Sequence, residues 1–512
     1  MTFDLIIDGG IVVDGTGESA YLADIGIRGD RIFAIGDLSA AEASRRIDAS
    51  GKVVAPGFID VHVHSELALL GGKDRFAPLR MGVTTQLTGP DGFSWAPLED
   101  CGFREMRELL HVFYDDALME GLDRLDIGGF MNLFQGNLPS NIVLQAPHGS
   151  IRTAVVGWEE RPATVEELSR METMTRQWME AGARSFCTGL EYEPMRRADT
   201  QELIRLSKVA AEYGGIYVAH QRGYADKVQV GCEETFRIAR EADIPVHISH
   251  FTVDGVAEQL VDDALGDGLQ VSFDMYAYPA GCTHLLMGLP ESLQAGPPDR
   301  ILESLRDPQI RASMQEHLED YFPLDRVVFA AAGTRYPSGW EGKSLREVTR
   351  ELDMSLADAV GHILLETNLQ ALMIYHWAEE RYPFLETTFR HGRHMVSTDG
   401  VYVGDKPHPR GFGTYPKVLG QYVRENGWLT LEQAVRKMTA FPASVFNIKQ
   451  RGTIREGYFA DLVVFDAETI DGPATFADPR LAPVGIDAVI VNGKPAIERG
   501  IPLPGLYGQI IK

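Results

Sequence analysis

Cysteine is scarce in this chain, and so is positive charge. The four cysteines among 512 residues, Cys101, Cys187, Cys232 and Cys282, are widely scattered and form no CxxC pair. This spacing excludes a disulfide framework and a structural zinc knuckle, and it fits a reducing compartment. Lys and Arg together number 48 against 73 Asp and Glu, for a net charge of −25. Such a surface repels nucleic-acid phosphates and anionic membranes, so neither is expected as a partner. No run approaches the roughly 18 to 20 apolar residues that a membrane helix needs. The opening "MTFDLIIDGGIVVDG" has acids and glycines where a secretion signal has basic residues followed by an apolar block. A cytoplasmic protein is therefore expected. A GxGxxG phosphate cradle is also missing.

What is present begins with "APGFIDVHVHSELALL", an apolar run that carries His62 and His64. Side chains alternate faces along a strand, so the two imidazoles point the same way, as a two-toothed metal clamp would. Asp60 is expected on the same side.

Residues 3 to 50 read as short strands separated by turns, and "GTIREGYFADLVVFDAE" and "IDAVIVNGKPAIERG" repeat that grammar near the end. Both chain ends are expected to build one small β-sandwich domain, from 1–54 and 449–512. Between them, at 55–448, apolar strands alternate with helical stretches. Eight candidate strands can be counted: "GFIDVHVH", "TTQLTGPD", "NIVLQAPHG", "ARSFCTGLEYE", "GIYVAHQR", "IPVHISHF", "LQVSFDMYAY" and "HMVSTDG". Eight parallel strands with helical crossovers give an α/β fold, a (β/α)8 TIM barrel. A long insertion, about 285–393, separates strands seven and eight, where it would form a lid or a substrate wall.

In such a barrel the chemistry sits at the carboxyl ends of the strands. His62 and His64 end strand one, Asp91 strand two, His148 strand three, Glu191 strand four, His220 strand five, His250 strand six and Asp399 strand eight. A lone histidine on a strand is more often structural than a ligand; convergence of several at one rim changes that reading. Imidazoles and carboxylates suit zinc and its first-row neighbours. His247 is expected to be structural, Cys187 and Cys282 to be small buried hydrophobes, and His408 to serve either a substrate or its own loop.

"PGFIDVHVHS", an isolated histidine on each of two successive strands, and "STDG" together resemble the amidohydrolase superfamily. "TGLEYEP", "SHF", "FDMYAYPAG", "HPRGFGTYPKVLG" and "RGTIREGYFADLVVFD" are similar to its D-aminoacylase (N-acyl-D-amino-acid deacylase) branch, over nearly the whole chain. The resemblance implies one or two divalent metals, with His62, His64, His220 and His250 as ligands and Asp399 as a ligand that also acts as the base. Where the branch places a metal-binding Cys in "GNCG", this chain has "GPDG" with Asp91, a carboxylate able to bind or bridge zinc; Glu191 is a second candidate bridge. Where the branch reads "SHHK", with a Lys for the substrate carboxylate, this chain reads "SHFT", with Phe251 and Thr252. Tyr192, Arg222, Tyr278 and Arg410 are then the candidate substrate contacts, with Tyr192, His148 or Arg222 available to an oxyanion.

The implied activity is hydrolysis of the amide of an N-acyl amino acid, probed as a small-molecule substrate, with D stereochemistry resting on the resemblance. Hydrolysis of a cyclic or carboxylate-free amide uses the same metal chemistry. A non-catalytic scaffold would bind no stoichiometric metal. A homo-oligomer is left open.

Overall fold

The computed structural model describes residues 2–333 and 339–512. Eight segments build the centre: β1 (Phe58–Asp60, continued by Val63–His64), β2 (Val83–Leu87), β3 (Asn141–Val143, continued by Ala146–Pro147), β4 (Ser185–Gly189), β5 (Ile216–His220), β6 (Val246–Ile248), β7 (Val271–Met275) and β8 (His394–Val396, continued by Gly400–Val401). Each pairs in parallel with the next. Gly400 and Val401 then pair with Val63 and His64, so the pairing returns to its start. All eight segments overlap the stretches whose apolar runs marked them as strands, β2 starting one residue earlier at Val83 and β8 running one residue further to Val401.

Helices cross over between them and follow their local signals. Helix Val165–Ala181 opens on a Thr164–Glu167 capping box and stops at Gly182, which takes the left-handed φ of 112° that its turn requires. Helix Thr200–Glu212 begins where the Asp199 side chain accepts from the Glu202 N–H.

Strands from both chain ends join one nine-stranded sheet, in which Val53–Pro56 lies between Leu5–Val12 and Leu462–Phe465. The expected two-sheet sandwich is instead one continuous sheet curled over its own core. Alternation explains how it serves two cores: Val54, Leu462 and Val464 face Ile7 and Ile25, while Val53 and Val463 face Phe58 and Val83 of the central segments. Ile510–Ile511 leaves that sheet and pairs beside β3.

The long connection after β7 carries its own antiparallel sheet, with Ala371–His376 between Ala280–His284 and Val327–Ala332. It begins slightly earlier than the expected 285 and packs into the same core as the central segments. Among the described residues no helix is long and apolar enough to cross a membrane.

Candidate metal centre

β1 is not regular where it matters. It breaks over Val61 and His62, yet His62 and His64 still converge, with 1% and 3% exposure. Asp60 does not join them. Its carboxylate accepts from the Thr398 N–H at 3.0 Å and the Thr398 hydroxyl at 2.5 Å, tying β1 to the turn that presents Asp399. Burial pushes Asp60 up to about 7, against the pull of those hydrogen bonds.

Asp91 stands at the centre of the cluster. Its Oδ1 lies 3.6 Å from His62 Nε2, 3.7 Å from His220 Nδ1 and 3.9 Å from His250 Nε2, and its Oδ2 lies 3.6 Å from His64 Nε2. Asp399 Oδ1 lies 3.5 Å from both His62 Nε2 and His64 Nε2. These separations are long for hydrogen bonds, but they suit donors sharing an ion, since bonds of about 2.0–2.1 Å in a tetrahedron put ligand atoms roughly 3.3 Å apart. His62, Asp91 and His250 form one group, and His62, His64 and Asp399 another, with the donor atoms of each within 4.8 Å of one another. His62 Nε2 and Asp91 Oδ1 are buried without a hydrogen-bond partner. Orphaned donors of this kind, beside two carboxylates, fit a divalent metal.

The electrostatics agree with two ionised carboxylates. Burial alone would raise Asp91, but His62, His220 and His250 outweigh it and hold the carboxyl well below its usual range. Burial would also raise Asp399, and Arg410 and His62 more than reverse it. Burial would lower His220, yet Asp91 and Glu191 carry it up to about 10; burial and the His220 charge bring His250 down to about 4.

The far nitrogens of two rings are held from outside, which orients the nitrogen facing the centre. His64 Nδ1 meets the Tyr114 hydroxyl at 3.1 Å, and His220 Nε2 meets Glu191 Oε2 at 3.0 Å. His62 Nδ1 lies 4.0 Å from Asp274 Oδ2. Glu191 therefore sits on the side of His220 away from Asp91, outside both groups. Asp274 accepts from the His250 N–H at 3.1 Å and from His247 Nε2 at 2.9 Å, so His247 lies beneath the site as a structural residue. Asp274 and Tyr114 were missed by sequence reasoning. An acid inside the apolar run "VSFDM" was the available signal for Asp274; nothing local marks Tyr114.

The other candidates divide. Arg410 is 1% exposed, lies over the Tyr276 ring at 4.4 Å and brings Nη1 to 2.8 Å from Asp399 Oδ2. Apart from that ion pair and the Tyr276 ring, the guanidinium nitrogens are buried without a hydrogen-bond partner among the described residues. Tyr192 packs its ring 4.8 Å from His220, and its hydroxyl lies 3.3 Å from Thr283 Oγ1. His148 does not reach the cluster: its nitrogens are consumed by Thr188 at 2.7 Å and Glu202 at 2.8 Å. Arg222 turns away, bonded to Glu234 and to the carbonyls of Arg196 and Ala198. Tyr278 donates to the Ala474 carbonyl at 3.3 Å and faces the 472–476 loop. Phe251 is buried against Phe273.

The chain is 36% identical over 501 residues to a D-aminoacylase of Alcaligenes xylosoxydans xylosoxydans, covering 96% of this chain and 94% of that protein. It is 34% identical over 499 residues to an N-acyl-D-glutamate deacylase of the same organism, covering 96% and 93%. The crystal structure of N-acyl-D-glutamate deacylase from Bordetella bronchiseptica, complexed with zinc and a phosphonate inhibitor, superposes with a TM-score of 0.84 at 31% identity, over the whole of both chains. The model of the amidohydrolase family matches residues 159–497, and the chain belongs to that family.

Proposed function

We propose that this chain hydrolyses the amide of an N-acyl-D-amino acid to a carboxylate and the free amino acid, in the cytoplasm, at the mouth of a closed (β/α)8 barrel. The convergence of Asp91, Asp399 and four imidazoles carries the reading, and the activities named for its relatives support the substrate class. His62, His64 and Asp399 on one side, and Asp91, His220 and His250 on the other, would hold one or two divalent ions, Zn2+ or a first-row neighbour. When bound, such an ion would supply acidification of a water and polarisation of the scissile carbonyl.

The remaining chemistry belongs to side chains. Asp399 is held ionised by Arg410, so its carboxylate accepts the attacking water's proton and then delivers it to the amide nitrogen, which leaves as an amine. With His148 and Arg222 spent elsewhere, Tyr192 is the candidate that remains to donate to the developing oxyanion; burial and the Asp91 charge keep its hydroxyl protonated. Arg410, with free donors over Tyr276, anchors the substrate carboxylate.

Amine release from matched D and L N-acyl amino acids and from cyclic amides, by zinc-reconstituted protein, tests the reading. Turnover confined to the D series is expected. The Phe251–Thr252 pair favours a second substrate class, and turnover of cyclic or carboxylate-free amides alone would replace the first. Asp399→Asn is expected to stay folded, keep metal at Asp91, His220 and His250, and lose about 10²–10⁴-fold in kcat. Full activity in that variant removes Asp399 from the role of base.

A further inference from the structure

The "HPRG" stretch contains a histidine that no step above uses. His408 is fully buried. Its Nδ1 accepts from the Arg410 N–H at 3.0 Å, and its Nε2 donates to the Ala280 carbonyl at 3.0 Å. One tautomer alone satisfies both, the neutral ring with its proton on Nε2. Burial and the neighbouring Arg410 charge hold the ring in that neutral form. Its edge packs against Tyr276 and Tyr278, at 5.9 and 5.6 Å between ring centroids. Pro409, at φ −63°, turns the Arg410 N–H back toward the side chain two residues earlier, as in an Asx-turn. Arg410 then opens helix Arg410–Lys417 and reaches Asp399.

We propose that His408 is a positioning residue for the hydrolytic reaction: it pins the Arg410 backbone to the inserted strand Ala280–His284, and so fixes where the guanidinium stands against Asp399 and the substrate. Both ring nitrogens are spent on backbone groups, which leaves none for the substrate. The inference rests on the roles assigned above to Asp399 and Arg410. It also makes the inserted segment part of the catalytic apparatus, because Ala280 belongs to that segment's own sheet.

Two near-isosteres separate the two bonds. In His408→Asn the amide Oδ1 takes the place of Nδ1 and keeps the Arg410 N–H. In His408→Gln the amide NH2 takes the place of Nε2, keeps Ala280 and releases Arg410. Each variant cuts the bridge at one end, so with whichever amide the zinc-loaded wild type turns over, both are expected to lose about tenfold or more in kcat/KM at unchanged metal content and melting temperature. Wild-type kinetics in either variant would overturn the proposal.

Arg410→Lys supplies the second check, since a group acting through Arg410 adds little once Arg410 is gone. Additive losses in the His408→Gln/Arg410→Lys double variant count against it. A third reading needs no substrate: crystals of His408→Gln are expected to show the Arg410–Asp399 separation opened beyond about 4 Å, outside ion-pair range. An unchanged 2.8 Å contact refutes the link, whereas a wild type inactive on N-acyl-D-amino acids refutes only the functional reading.

Discussion

Three residues of the candidate centre hold backbone conformations that side chains rarely adopt: Asp91 at φ 56°, His250 at 38° and Asp399 at 46°. Each such residue costs of order 1–3 kcal/mol and persists where its surroundings over-determine it, commonly at functional sites. Here the constraints can be named. Asp399 donates its N–H to the His62 carbonyl at 2.8 Å, and His250 is fixed by Asp274. His148 shows the opposite case, a titratable residue at a strand end whose role is packing. Its ring joins Thr188 to Glu202, which also holds Arg152. His148→Phe is therefore expected to lower stability by about 1–3 kcal/mol, through the orphaned partners, and to leave bound metal unchanged. Denaturant melts and metal analysis on the same samples check this, and loss of metal would return His148 to the site.

Turns and helix ends position the centre. Asp91 lies in the turn 89–92, and a Cβ on Gly92, at φ 71°, would come within 2.7 Å of the Cys187 carbonyl. Gly92→Ala must shift this turn and carry Asp91 with it, so bound metal is expected to fall well below the wild-type stoichiometry, read by elemental analysis. Gly411 lets helix Arg410–Lys417 approach the chain at Gly400, whose own added Cβ would lie 3.1 Å from the Gly411 Cα. Arg410 thus begins its helix beside the residue that follows Asp399.

Helix Leu431–Met438 carries a titration test. Lys437 Nζ donates to the carbonyls of His391, just before β8, and of His394, its first residue, and burial, helped by Arg436, lowers the amine to about 7. From about pH 7 to the ordinary lysine value the unfolded chain holds a proton that the fold has released, so stability attributable to this group rises with pH over that window. The stability of the wild type relative to Lys437→Met should improve between pH 7 and 9.5, by chemical denaturation. A flat difference would show an amine that stays charged in the fold.

At the scale of the molecule, five strand ends meet in one buried cluster while the chain ends join in one sheet. The cluster brings two carboxylates and four imidazoles together where water cannot screen them. A ligand bound to the folded state alone stabilises it, by about 4 kcal/mol when its concentration is a thousand times Kd. Chelation is expected to abolish activity and lower the melting temperature by several degrees, with zinc restoring both; an unchanged melting temperature would argue that the cluster stands without an ion.

The eight central strands and the rim positions of His62, His64, Asp91, His220, His250 and Asp399 were legible because each signal is local. Strand periodicity, apolar runs and turn residues act over a few residues, and a strand's end is where its side chains meet the mouth. The sequence by itself determined the candidate donors and the order in which the segments deliver them. Tertiary structure alone decided which candidates were free to act. Arg222, Tyr278 and His148 looked as suitable as Arg410 and Tyr192, but a carbonyl or a carboxylate from a distant segment had already taken their polar atoms. It also decided that Glu191 meets His220 from behind, that Asp274 lies beneath the site, and that both chain ends share one curled sheet. These outcomes depend on contacts between residues tens to hundreds of positions apart, which no local pattern encodes.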